Sequence, residues 1–376
     1  MWLGEMGRLP VGQSRPSIIY FRPGPLVYLN APSGVIILRL KRPMVKGLFR
    51  SCLVADLSMA IIGLSLATGP TKAGWPFQFG PSLGSRIHRK MILKRFAETM
   101  PNLLQEYRDD GYFIVDDAVE KDLLEELGQA LRRAADKVRS GAVVEHAGAI
   151  STMGKGTEPH ILMGLMAPEY GEPCFAQYLV CEALQKYARL IIGPEQRLGW
   201  VVGFATRQIA NYDSGWHRDT GGQTRNAAYE EEMEILRTHR KNMLKFHLAV
   251  EDDPCLWLVP GSHRRYRTAI EHEFLVGQGK GDLPGAVQMD LKRGQTVFWN
   301  GNTIHRGIAP AGMVERWNLT GSLVRHENDR EELDERFKWR LADKVRDSLP
   351  SAILPLYDNW RYAVEGIDSR GCDISE

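Results

Sequence analysis

Apolar and polar positions along this chain follow two different periods, and the change falls near Leu198. Before that point the spacing is helical. A short apolar run, Gly111-Tyr112-Phe113-Ile114-Val115, reads as a strand, and Asp116-Asp117 behind it supply an N-cap signal. Val119, Leu123, Leu124, Leu127, Leu131, Ala135 and Val138 then recur at the spacing of one helix face, until Ser140-Gly141 stops the run. A second helix is predicted over Phe175–Ile192, ended by Gly193-Pro194. From about Leu198 the runs shorten and become β-rich: Trp200–Phe204, Leu244–Val250, Leu256–Val259, Ala286–Leu291, Thr296–Trp299 and Trp317–Val324. Turn signals separate several of them, namely Asp252-Asp253-Pro254, Pro260-Gly261-Ser262, Arg293-Gly294 and Asn300-Gly301. Many short strands joined by such turns predict a mainly β sandwich or barrel flanked by helices. Two charged stretches interrupt this scheme. Residues 230–241 read as a solvated surface helix, with a lid over a site as the functional alternative. Residues 329–348 read as an amphipathic charged helix.

Charge adds a boundary. The 376 residues carry a net charge of only +2, which gives no reason to expect nucleic acid. The first ninety residues hold twelve basic and two acidic residues, leaving 36 basic against 44 acidic in the rest. Residues 1–90 are therefore expected to be an extension, poorly structured or the product of an upstream start, with the main globular domain opening at Met91 and running to Glu376. Within that domain the β core is expected over about 198–326 and a C-terminal helical segment over 327–376. The apolar run around residues 51–66 resembles a targeting h-region, but Asp56 breaks it and it is short for a membrane span. Five scattered cysteines form no C-x-x-C pair, which fits reduced thiols. The expectation is a soluble, cytoplasmic protein with no membrane contact.

The candidate chemistry lies in the β-rich half. In His217-Arg218-Asp219, alternation turns the first and third side chains to one side of a strand and the second to the other. His305 supplies a third donor from a Gly-containing turn, and Arg316 follows eleven residues later. Two imidazoles and a carboxylate can hold one face of an octahedral iron(II), leaving positions for a co-substrate and O2. The trailing arginine offers a fork for a carboxylate. Arg316 is expected beside His305 across a hairpin, with Asn318 and Thr320 on its side as further candidate co-substrate contacts and Phe298 and Leu319 as apolar neighbours. Gln223 and His160 are candidate substrate contacts. His263, in the Pro-Gly-Ser-His turn, reads as structural, His239 as solvated, and His247 is undecided because its strand face is ambiguous. No Ser-His-Asp elbow, Walker loop or G-x-G-x-x-G after a strand is present.

Taken together, these segments resemble the phytanoyl-CoA dioxygenase family of iron(II)/2-oxoglutarate oxygenases. The resemblance spans about Asn102 to His326. It rests on Tyr107–Val115, Trp216-His217-Arg218-Asp219, Leu258-Val259-Pro260-Gly261-Ser262-His263-Arg264, Gly294–Trp299, His305 and Arg316. It implies a double-stranded β-helix, or jelly-roll, core. It also implies that His217, Asp219 and His305 bind Fe(II), and that Arg316 pairs with the distal carboxylate of 2-oxoglutarate, with O2 as the other co-substrate. The implied reaction oxidises, most often hydroxylates, an unactivated C–H bond of a small molecule and releases succinate and CO2. Retention of Asp219 favours hydroxylation over halogenation. Three departures concern the pocket: a short loop after Glu251, a long insertion over 220–243, and Gly307 where a small hydroxyl residue is common. The alternatives are a non-catalytic jelly-roll that binds metal or 2-oxoglutarate, a zinc hydrolase, and a membrane-anchored protein.

Overall fold

Strand pairing organises this chain around two sheets that face one another. We describe it from a computed structural model covering residues 26–31, 34–39, 100–143, 150–152, 158–220, 222–238, 243–327 and 330–367. The chain divides into two units, Met1–Gly80 and Pro81–Glu376. In the first, β1 (Leu26–Ala31) and β2 (Gly34–Arg39) form an antiparallel hairpin. Most of the expected extension, including the apolar run near residue 51, lies outside the described residues. Among the described residues no helix is long and apolar enough to cross a membrane.

The second unit carries a seven-stranded sheet and a three-stranded one. The large sheet contains β3 (Tyr112–Val115), β4 (Ile150–Thr152), β5 (Pro159–Leu162), β6 (Gln196–Thr206), β7 (Met243–Ala249), β10 (Thr296–Trp299) and β12 (Arg316–Arg325). Their order is β3-β10-β7-β12-β6-β5-β4, antiparallel throughout. The small sheet pairs β11 (His305–Gly307), β8 (Asp253–Leu258) and β9 (Val287–Leu291) in the order β11-β8-β9. A bridge between His217 and His305 adds the His217 segment to its edge. This is the antiparallel jelly-roll arrangement, mainly β with helices outside.

Alternation decides what each face buries. On the large sheet, Phe246, Leu248, Phe298, Leu319 and Leu323 point outward into a core shared with the helices. Leu124, Leu127 and Leu131 of the helix Lys121–Arg139 fill the same core. Each such fully buried side chain contributes about 1.5–3 kcal/mol. Gly203 permits the close approach, since a Cβ there would lie 2.4 Å from Leu131. The opposite faces form a second cluster, in which Ala249, Val297 and Trp299 meet Leu256, Leu258, Met289 and Leu291.

Several sequence expectations change. The Phe175–Ile192 helix is two helices, Cys174–Val180 and Glu182–Ile192, because Cys181 adopts an extended backbone. The helix after β3 begins at Lys121 with Glu120 as N-cap, so Asp117 is free to pair with Lys186 instead. Of the 230–241 stretch, residues 230–238 lie in the helix Tyr229–Thr238, and the rest fall outside the described residues. The 329–348 stretch is broken into a 3-10 segment, Glu335–Leu341, and a short helix, Asp343–Ser348. The helix Ala269–Leu275 was not anticipated, although Thr268 and Glu271 form a capping box legible in the sequence.

Candidate active site

The His217 segment and β11 bring the ligand candidates together. His217 and His305 exchange both backbone hydrogen bonds, each 2.9 Å, so they are directly opposed. Their ring centroids lie 4.2 Å apart. Asp219 is fixed by its own amide, which donates to the Gly301 carbonyl at 3.0 Å. One donor atom from each of His217, Asp219 and His305 lies within 4.8 Å of the other two. The rings are also oriented. His217 Nδ1 sits 2.9 Å from the Gly215 carbonyl and His305 Nδ1 2.8 Å from that of Thr303. A carbonyl only accepts, so Nδ1 carries the hydrogen in each ring and Nε2 keeps its lone pair. Burial first, then the neighbouring His217 ring, pushes the His305 pKa down to about 3, holding it in the neutral state that a metal ligand needs.

Two further side chains hold this step in place. Arg218 turns the other way, as alternation requires, and donates to the Ser262 and Asn302 carbonyls at 2.6 and 2.7 Å. It also meets the buried Glu232, which pairs with Arg267 as well. Glu232 belongs to the helix Tyr229–Thr238, so the charged insertion is pinned behind the His217 step by a buried carboxylate and is not merely solvated. On the cavity side, Lys245 of β7 pairs with Asp219 Oδ2. Its ammonium lies 4.5 Å from the Trp299 ring centroid and 5.2 Å from that of Trp200. Asp219 Oδ1 faces His305 Nε2 at 3.8 Å.

Arg316 lies across the barrel from the histidines. β11 belongs to the small sheet and β12 to the large one, so the two are not neighbours across a hairpin. Phe298 and Leu319 also lie on the wrong face, in the outer core. The aromatic rings that cover the guanidinium are Phe204, 4.2 Å from its carbon, and Tyr212, at 5.5 Å. Arg316 Nε donates to Asp253 at 3.0 Å, while Nη1 is buried without a protein partner. Asp253 also accepts from His247 Nε2 at 2.9 Å, Asn318 Nδ2 at 2.5 Å and the Cys255 amide at 3.0 Å. Thr320 Oγ1 lies 2.8 Å from His247 Nδ1, which closes the network. Burial alone would raise the Asp253 carboxyl, but Arg316 and His247 outweigh it and hold it well below the usual carboxylate range. Sequence reasoning missed Asp253, whose Asp-Asp-Pro context reads as a turn, and left His247 undecided.

A cavity of about 1030 Å³ opens between the two sheets, lined by His217, Asp219, His305 and Arg316 together with Lys245, His247 and Thr320. Asn318 is fully buried and is spent on Asp253. Farther out, Met163, Trp200, Phe337 and Trp360 make an apolar wall, and Glu327, Arg330, Glu331, Glu332, Asp334 and Arg336 a charged rim. Gln223 is exposed in a turn and does not line this cavity. His160 stands beside Tyr212 and Phe204, its ring centroid 5.0 and 5.4 Å from theirs. His263 Nε2 lies 3.2 Å from the Arg108 carbonyl, and His239 falls outside the described residues.

Comparison with known proteins gives a family match and distant structural likenesses. The family described as Phytanoyl-CoA dioxygenase (PhyH) matches residues 107–310. No curated protein sequence matches the chain. Among solved structures, EctD from S. alaskensis with 2-oxoglutarate and 5-hydroxyectoine is 19% identical, covering 67% of this chain and 85% of its own, with a TM-score of 0.48. AviO1 from Streptomyces viridochromogenes Tue57 is 16% identical, covering 60% and 94%, with a TM-score of 0.44. The epimerase SnoN from nogalamycin biosynthesis, in complex with Fe3+, alpha ketoglutarate and nogalamycin RO, is 18% identical, covering 61% and 84%, with a TM-score of 0.42.

Proposed function

The chain belongs to the phytanoyl-CoA dioxygenase family, and from that premise we propose that it is an iron(II)/2-oxoglutarate-dependent oxygenase that hydroxylates a C–H bond of a small organic substrate. His217, Asp219 and His305 would hold the iron and Arg316 the distal carboxylate of 2-oxoglutarate. The observation that carries this reading is the pairing of two unspent resources across one cavity. On one side, two imidazoles keep their Nε2 lone pairs beside a carboxylate. On the other, a buried guanidinium has its Nε anchored by Asp253 and its Nη1 without a partner. A buried donor left unpaired costs about 1–3 kcal/mol, and a dicarboxylic oxo acid would satisfy it while its other end reaches the ligand triad. The residues therefore fit both groups.

When bound, iron(II) with 2-oxoglutarate supplies the oxidising chemistry, coupling O2 reduction and decarboxylation of the oxo acid to oxidation of the substrate, with succinate and CO2 as co-products. The protein's own part is positioning. Backbone carbonyls of Gly215 and Thr303 fix the two rings. Asp253 fixes the direction of Arg316, and the Phe204 and Tyr212 rings keep water from its face. The Met163, Trp200, Phe337 and Trp360 wall would exclude water from the substrate side.

The test uses purified full-length protein, iron(II) and 2-oxoglutarate without oxygen. The expected result is a weak visible charge-transfer band that is lost in His305→Ala and weakened in Arg316→Ala. Substrate candidates are then screened by succinate release in air. Iron-loaded, folded protein that gives no band with 2-oxoglutarate would overturn the assignment in favour of a zinc site. A normal band without succinate release from any candidate would favour a binding module.

A further inference from the structure

The hydroxyl of Tyr212 sits where Gly307 has no side chain. Gly307 is two residues beyond His305 on β11, and a Cβ built on it would lie 2.9 Å from Tyr212 Oη and 3.0 Å from the adjacent ring carbon. Side chains essentially never approach that closely, so glycine at 307 and tyrosine at 212 are a matched pair. The tyrosine does not arrive there by ordinary strand geometry. Asn211, immediately before it, has φ 64°, the one non-glycine residue among the described residues in the left-handed region. Asparagine enters that region at lower cost than other side chains with a Cβ. This turn is then locked by backbone hydrogen bonds on both sides. Tyr212 N donates to the Ile209 carbonyl at 3.0 Å, Ala309 N to the Tyr212 carbonyl at 2.9 Å, and Ser214 N to the Gly307 carbonyl at 2.9 Å. Ser214 Oγ in turn accepts from Gly307 N at 2.8 Å.

The result is a phenol that lines the same cavity as His305 and Arg316. Its ring is 5.5 Å from the Arg316 guanidinium carbon, on the same side as Phe204 and His160. The buried Nη1 of that guanidinium has no protein partner. A left-handed backbone, a glycine kept bare and an arginine left one bond short all converge on one spot. A packing role alone accounts for the ring over the guanidinium. It does not account for a polar Oη thrust into the space above Gly307.

We propose that Tyr212 is a second binding residue for the co-substrate, its hydroxyl donating to the same distal carboxylate that Arg316 holds. This rests on the reading of Arg316 as the 2-oxoglutarate anchor. Hydrogen bonds to charged groups contribute about 1.5–3 kcal/mol, so loss of this one weakens binding by about tenfold or more.

The experiment titrates 2-oxoglutarate into anaerobic, iron(II)-loaded full-length wild type, Tyr212→Phe and the double variant Tyr212→Ala/Gly307→Ser, following the charge-transfer band. A monocarboxylic 2-oxo acid of similar length, lacking the distal carboxylate, serves as the second ligand. The expected result is about tenfold weaker binding of 2-oxoglutarate to Tyr212→Phe, unchanged binding of the monocarboxylic acid, and partial recovery in the double variant, whose serine hydroxyl takes the vacated space. Equal affinity of wild type and Tyr212→Phe for 2-oxoglutarate overturns the proposal and leaves the oxygenase reading intact. Equal weakening for both acids also overturns it, since that is the mark of a distorted pocket. No band in wild type withdraws the oxygenase reading and this proposal with it.

Discussion

Asp253→Asn is the most direct probe of how the site is built. The carboxylate is 1% exposed and takes hydrogen bonds from Arg316, His247, Asn318 and the Cys255 amide. Asparagine keeps the size and one acceptor oxygen, but removes the charge that compensates the buried guanidinium. Breaking a buried pair by neutralising one partner costs about 3–5 kcal/mol, because the other charge is left stranded. For a domain somewhat larger than 150–250 residues, each kcal/mol shifts the melting temperature by about 2–4 °C, so a fall of roughly 10 °C is expected. A pH series sharpens the test. The folded-state pKa is depressed, so the unfolded chain takes up the proton first. Asp253 therefore contributes stability that is fully present above about pH 4 and is lost as the pH falls below it. Melting curves from pH 3 to 7 should show a steeper acid limb in wild type than in Asp253→Asn. The variant should also bind 2-oxoglutarate less tightly, because a neutral amide oxygen directs Arg316 less firmly than the carboxylate does. Equal melting temperatures and parallel acid limbs would refute the claim that this carboxylate carries the charge of the network.

Two other outcomes follow from the same geometry. Lys245→Met keeps the stem over Trp299 but removes the donor to Asp219 Oδ2, and iron(II) affinity should fall by about 10–100-fold, as for other partners of metal ligands. Affinity unchanged by equilibrium dialysis would count against that role. His160 has its pKa pushed down to about 4, by burial first and by Arg316 second, so the unfolded chain binds its proton near pH 6.5 while the folded chain resists until about 4. Stability should decline over that interval in wild type and less so in His160→Gln, measured as urea midpoints at half-unit pH steps.

Legibility in the sequence tracked how local each determinant is. The His217-x-Asp219 step needs only the two-residue period of a strand, and its side-chain directions came out as alternation demands. Thr296–Trp299 has the same bounds in sequence and structure because Gly294 and Asn300-Gly301 flank it. The break at Cys181 has no Gly or Pro to announce it, and apolar spacing continues through it. The Asp253 network was hidden for another reason. Its members sit up to 73 residues apart, since His247 is joined both to Thr320 and to Asp253. Only the register that sets Thr320 opposite His247 turns both toward Asp253. Before that register is known, Asp252-Asp253-Pro254 is simply a turn.

The placement of these groups also explains why the cavity has the chemistry it has. The metal-binding candidates come from the small sheet and its edge, and the arginine from the large one. Neither sheet alone contains a complete site. The distance between the two halves is set by the layer that joins them, where Val297 and Trp299 of β10 pack on Met289, Leu256 and Leu258. Trp299 serves both purposes, since its ring is buried in that layer while its face receives the Lys245 ammonium and its edge approaches His305 at 6.3 Å between centroids. A close-packed layer does not deform smoothly, so it holds the two halves at one separation. On the proposed reading, a co-substrate reaching from Arg316 to the three candidate ligands would be selected for length as well as charge, and that selection would reside in apolar residues that carry no motif.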